Sequence, residues 1–81
     1  MKTKSGFECE ISQARLDNYE LVEALGELDT NPLKLPKVLN LLLGEQVETL
    51  KNHLRDGDGF VSTEAIMDEV KEIFELTKVK N

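Results

Sequence analysis

Hydrophobic residues between positions 31 and 55 recur with helical spacing, and this stretch organises the predicted fold. On a helix that turns about 100° per residue, five of them share one face within an arc of roughly 140°. These five are Leu35, Val38, Leu39, Leu42 and Leu43. Gly44 follows, and glycine is the residue that most easily adopts the left-handed conformation at a helix end. Val47, Leu50 and Leu54 then continue at i, i+3 and i+7, so the pattern predicts two short helices joined through Gly44.

A helix is also predicted before this stretch. Asp17 and Glu20 have the spacing of a capping box, in which side chains accept the free amides at a helix start, so the helix is expected to begin near Asp17. Its apolar side would hold Leu21, Val22, Ala24, Leu25 and Leu28. The segment from Asp29 to Pro32 predicts a turn, because the residue before a proline is pushed out of helical geometry.

A last helix is predicted after Ser62, whose hydroxyl is suited to capping it. Its apolar face would hold Ile66, Val70, Ile73 and Phe74. Glu69 falls inside this face, where an apolar residue is expected. Its carboxylate should therefore either reach water or make a polar contact at a subunit or partner interface.

The N-terminal segment has a different period. Phe7, Cys9 and Ile11 alternate with polar residues, as in a half-buried strand. This predicts one N-terminal β-strand, or a short hairpin, and the sequence offers no second convincing strand to pair with it. The strand would then pair with a weakly signalled segment or with another copy of the chain, which makes a homo-oligomer possible. Residues 1–5 and 78–81 are expected to be loose.

Composition places these elements in one class. The 81 residues, with 40% hydrophobic and 32% charged residues, fit a single mainly α-helical domain over residues 1–81, a small bundle of three to four short helices. The net charge of −6 argues against binding to nucleic acid. A lone cysteine cannot form an internal disulfide, and there is no signal-like segment or long apolar run, so a cytosolic chain without a membrane partner is expected.

The loop DGDG at residues 56–59 invites a calcium interpretation. If Gly59 is the sixth position of an EF-hand loop, Asp56 and Asp58 occupy the third and fifth positions. Leu54 and Ala65 then occupy the first and twelfth positions, where carboxylates should stand. The sequence therefore favours a plain acidic turn and helix start, with no metal site, over calcium binding.

No set of residues supports catalysis. His53 is the only histidine and has no nucleophile or metal ligand at a recognisable spacing. Cys9 lies on the inward side of the predicted strand between two glutamates, an environment that opposes a reactive thiolate. We expect no enzyme and no cofactor.

Two sets of residues suggest a surface for another protein. A leucine-rich ridge on the paired helices exceeds what so short a chain is expected to hide; its residues are Leu39, Leu41, Leu42, Val47, Leu50 and Leu54. An acidic stripe on the first predicted helix could meet basic residues of a partner. The stripe consists of Glu20, Glu23 and Glu27. The plainer interpretation makes the ridge core and the stripe a solvated helix face.

The order of six segments along the chain adds a family resemblance. They are FECEI (7–11), LDNYELVE (16–23), NPLKLPKV (31–38), LLGEQVETLK (42–51), GFVS (59–62) and IMDEV (66–70). Together they resemble the small tail assembly chaperones of long-tailed phages and prophages of Gram-positive bacteria. The resemblance extends from Phe7 to Phe74.

The resemblance implies a mainly helical, non-enzymatic protein that acts in the host bacterial cytoplasm and is absent from the mature virion. Members of this family bind the tape measure protein, keep it soluble and help to recruit tail tube subunits. Two alternatives stay open from the residues alone: a small acidic protein-interaction or regulatory module, and a weak calcium-binding helical module using the loop at residues 56–64.

Overall fold

The computed structural model describes residues 1–77 of the chain, and helices dominate this range. The predicted mainly α-helical class is therefore confirmed, with five α-helices in the described range instead of three to four. The helices are α1 (Gln13–Leu16), α2 (Tyr19–Leu28), α3 (Leu35–Leu43), α4 (Gln46–Leu54) and α5 (Thr63–Thr77), with a 3-10 turn at Pro32–Lys34. None of these helices is long and apolar enough to cross a membrane. Residues 78–81, expected to be loose, lie outside the described range.

The chain divides into two units. The central unit comprises Glu10–Val47, and the terminal unit comprises Met1–Cys9 with Glu48–Asn81. Each contains buried apolar side chains. Those of the central unit are Leu21, Ala24, Leu35, Val38, Leu39, Leu42 and Leu43. Those of the terminal unit are Phe7, Cys9, Leu50, Ile66, Val70 and Ile73.

In the central unit, α3 ends at Gly44 as predicted, and α4 begins two residues later. Gly44 has φ 58° and ψ −122°, so it has the positive φ that favours glycine but lies outside the left-handed helical region. Arg15 supplies a second reason for glycine. Its Nη1 donates to the Leu41 carbonyl at 3.0 Å, and a Cβ on Gly44 would overlap the guanidinium. Arg15 thus satisfies a free carbonyl at the end of α3.

The start of α2 differs from the prediction. The capping residue is Asn18, whose extended backbone precedes the helix and whose Oδ1 accepts from the Glu20 amide at 3.0 Å. Asp17 instead ends α1, a single turn that Ser12 caps. The predicted capping box at Asp17 is therefore wrong, because α1 occupies the residues just before it. α2 packs against α3 and the 3-10 turn.

The predicted N-terminal strand is not formed within the described residues. The first nine residues fold back on themselves through one isolated bridge between Lys2 and Glu8. The Met1 ammonium donates to the Cys9 carbonyl at 2.9 Å, and the Cys9 amide donates to the Met1 carbonyl at 3.0 Å. The chain reverses tightly through Gly6 at φ 96° and soon enters α1, which leaves too few paired residues for a strand.

The alternation that suggested this strand still describes burial correctly. Phe7 and Cys9 are buried, whereas Glu8 and Glu10 are exposed. The pairing segment is the chain's own residues 1–4, for which a loose terminus was expected, and Thr3 is buried there. The expectation of backbone pairing between copies of the chain depended on an unpaired strand, and the described residues contain no such strand.

In the terminal unit, α5 begins as predicted. The Ser62 hydroxyl accepts from the Ala65 amide at 3.1 Å. Ile66, Val70 and Ile73 are buried on one face, as predicted, whereas Phe74, the fourth residue predicted there, is only half-buried. Glu69 is buried with them at 5% exposure.

Candidate partner-binding surface

The outer face of α2 carries two exposed apolar side chains. Tyr19 is 70% exposed and Val22 is 56% exposed, and their spacing of three residues makes them neighbours on the helix surface. The opposite face of the helix holds Leu21 and Ala24, which are buried. Because these two fix the orientation of α2, Tyr19 and Val22 are left facing outward.

The predicted acidic stripe lies beside this apolar pair. Glu20, Glu23 and Glu27 are all exposed. Glu27 forms an ion pair with Lys34 at 3.4 Å, whereas Glu20 and Glu23 form no ion pair with any residue in the range 1–77. Two of the three carboxylates are therefore available to a basic partner.

Gly26 extends the same face. It lies in the interior of α2, is exposed, and has no atom of residues 1–77 within 4 Å of the position that a Cβ would take. Packing within the described chain does not require glycine there, although glycine in a helix costs about 0.5–1 kcal/mol relative to alanine. Its effect is to leave a flat place next to Val22, where another backbone can approach closely. We call Tyr19, Val22 and Gly26 with the acidic stripe the α2 surface.

The leucine ridge is not an exposed surface. Leu42 and Leu50 are completely buried, and Leu39 is nearly so. Leu41, Val47 and Leu54 are half-buried. The plainer interpretation of the ridge describes this structure better, because the chain covers most of its own leucines. A partner cannot reach the three buried leucines in this conformation.

Sequence reasoning missed the exposed apolar residues. Val22 was assigned to the apolar side of α2, and this assignment is wrong. The helix geometry contained the signal, since Val22 lies about 100° from Leu21 and about 160° from Ala24 around the axis. Leu33 in the 3-10 turn is another exposed apolar residue of the central unit.

The acidic loop is closed by its own hydrogen bonds. Asp56 Oδ1 accepts from the amides of Asp58 at 2.9 Å and Phe60 at 3.0 Å, and Arg55 donates to the Gly59 carbonyl at 2.9 Å. This is the arrangement of a side-chain-stabilised turn. Calcium would have to compete for an oxygen that already accepts two amides, and no group of three potential metal ligands occurs within residues 1–77.

His53 and Cys9 both have structural contacts. The His53 Nε2–H donates to the Ser5 carbonyl at 2.9 Å, and its ring lies 6.0 Å from that of Phe7. Burial raises the pKa of the Cys9 thiol; the Met1 ammonium opposes that rise and the Glu69 carboxylate adds to it. The thiol is therefore kept protonated, as expected for a buried cysteine that packs as a small apolar residue.

No family model, curated protein or solved structure matches this chain. The resemblance to tail assembly chaperones therefore rests on the residues quoted above.

Proposed function

We propose that this chain is a tail assembly chaperone of a long-tailed phage or prophage, which binds the tape measure protein and keeps it soluble in the host cytoplasm. The order of the six segments supports this proposal. In this role the chain also helps to bring tail tube subunits to the tape measure protein. It carries out no catalysis and needs no cofactor.

The α2 surface is the observation that carries the proposal. Tyr19 and Val22 are exposed beside Glu20 and Glu23, which have no ionic partner in the described chain. Apolar side chains that are exposed together on one helix face offer a contact for another protein, and charged residues beside them fit the polar rim of such an interface.

The spacing of this surface suits a helical partner. Tyr19, Val22 and Gly26 follow the i, i+3, i+7 pattern of a helix–helix seam. A tape measure protein is a long helix with exposed apolar seams, and such a seam can lie along these three positions. Lysines beside the seam would then meet Glu20 and Glu23.

Co-expression with the tape measure protein of the same genome tests the proposal. We expect that protein to be soluble with this chain and to aggregate without it. The double variant Tyr19→Ser/Val22→Ser should lose most of this effect. A matched control, Phe60→Ser/Leu76→Ser, removes two exposed apolar residues from the terminal unit and should retain it. Equal solubility of the tape measure protein with and without this chain would refute the proposal.

The exposed glutamates favour a second candidate, an acidic module that docks on a basic protein surface. The two candidates differ in their response to salt. Binding that depends on Glu20 and Glu23 alone should weaken steeply as salt rises, whereas binding through Tyr19 and Val22 should persist. Measuring complex formation at low and high salt, with Glu20→Gln/Glu23→Gln beside the serine variant, distinguishes them.

A further inference from the structure

The terminal unit contains an open cleft that the proposed function does not use. Its volume is about 500 Å³, within the range of small-ligand sites. Four acidic side chains line it, and these are Asp68, Glu69, Glu72 and Glu75. Lys4 and Lys71 also line it, but neither forms an ion pair with these carboxylates within the described chain. The cleft therefore has an excess of negative charge.

Glu69 distinguishes this cleft from an ordinary acidic patch. It is 95% buried, since only 5% of it is exposed, and its Oε1 has no hydrogen-bond partner among residues 1–77. A buried carboxylate without donors is costly, so native proteins usually provide a partner. Glu72, in contrast, already accepts from the Lys4 amide at 2.8 Å.

We infer that this cleft binds the guanidinium group of an arginine side chain from a partner polypeptide, with Glu69 as its principal acceptor. The inference is independent of the proposed function, because it uses a different surface. Leu54 and Ala65 line the same cleft and offer apolar contacts to the side chain's methylene groups.

The chemistry favours arginine over lysine. A guanidinium has five donors in a planar fork, enough to serve several carboxylates at once, and it is more weakly hydrated than an ammonium. Both properties suit a cleft with four carboxylates, one of them desolvated. A charge-assisted hydrogen bond to Glu69 would supply the donor that it lacks.

The test is a titration of the ¹⁵N-labelled full chain with Nα-acetyl-arginine N-methylamide, followed by amide chemical shifts. We expect saturable shifts around Lys4, Glu69 and Glu72. Glu69→Gln should raise the Kd by at least about tenfold, as for loss of a hydrogen bond to a charged group. Glu64→Gln, an exposed acid of the same helix outside the cleft, should change the Kd by less than about twofold.

Three related probes define the ligand. The lysine amide should bind more weakly, and the uncharged citrulline amide should not bind. Nα-acetyl-arginine, whose free α-carboxylate is repelled by the cleft, should also bind more weakly than the blocked form. Equal binding of the lysine amide would overturn the assignment to guanidinium, and tighter binding of Nα-acetyl-arginine would overturn the assignment to an arginine within a polypeptide.

The absence of saturable shifts in the wild-type chain, or an unchanged Kd in Glu69→Gln, would overturn the inference. If Glu69→Gln does not fold, Asp68→Asn/Glu75→Gln replaces it. Both residues are exposed lining residues, and the double variant should also weaken binding. Unchanged affinity in that variant would count against the cleft as the site.

Discussion

α2 and α5 are both amphipathic, and each carries a residue whose polarity is opposite to that of its face. In α2 the exception is Val22, an apolar side chain on the solvent-exposed face. In α5 it is Glu69, a carboxylate among buried aliphatic residues. Neither exception is explained by packing in the described chain. Residues that the fold does not require, such as Val22 and Glu69, are therefore the ones that point to binding.

The largest expected effect separates the two faces of α2. Leu21→Ala removes a buried side chain and should lower the free energy of unfolding by about 2–5 kcal/mol. Val22→Ala should change it by less than about 0.5 kcal/mol, because Val22 is exposed. Urea unfolding followed by circular dichroism measures both. Similar losses for the two variants would show that the outer face of α2 is packed after all.

Replacing Glu69 tests the opposite exception. Glu69→Met places an apolar side chain of similar length in a buried position, so we expect a gain in stability of about 1–3 kcal/mol. Glu64→Met, at an exposed position of the same helix, serves as the control and should have little effect. A loss of stability in Glu69→Met would mean that the carboxylate is satisfied in solution, and the contrast with Val22 would then disappear.

Removing the N-terminal caps of α2 and α5 should have a smaller effect on stability. Asn18→Ala and Ser62→Ala each remove a side-chain cap and should cost about 1 kcal/mol. Asp17→Ala, which leaves the Asn18 cap in place, should cost clearly less. Thermal unfolding of the three variants is sufficient for the comparison. If Asp17→Ala is the more damaging of the two changes before α2, the capping box is the correct description.

The smallest effect concerns the α2 surface. Gly26→Ala should stabilise the isolated chain by about 0.5–1 kcal/mol, because alanine is the better helix former and the site is open. The same change should weaken binding to the tape measure protein if a partner backbone approaches there. Gly44→Ala is the contrasting glycine variant and should destabilise the chain, since Gly44 has a positive φ and faces Arg15. Tighter binding of the tape measure protein by Gly26→Ala would show that Gly26 does not belong to the α2 surface.

Elements that depend on local periodicity could be predicted from the sequence. The helix pair around Gly44, the cap at Ser62 and the buried face of α5 all follow from spacing and propensity. The fold of residues 1–9 could not be predicted, because it depends on pairing with a segment that carries no strand signal. The role of Arg15 is also non-local, since its contacts lie about 25 residues further along the chain.

The candidate surface was only partly predictable. The sequence correctly predicts that the glutamates of α2 are exposed to solvent, because charged side chains are rarely buried. The leucines were not resolved into core and surface, since that division depends on which faces of α3 and α4 the rest of the chain covers. Glu69 was recognised as an exception from the helix pattern, but its lack of a donor becomes visible only in three dimensions.

The single buried cysteine gives this protein a built-in reporter. A thiol reagent reacts with the thiolate, and at Cys9 both burial and the raised pKa suppress that form. Labelling therefore proceeds only when residues near the N-terminus open transiently, and its rate measures how often they do so. Labelling in the presence of a bound partner would show whether binding to either unit reduces this opening, without any engineered probe.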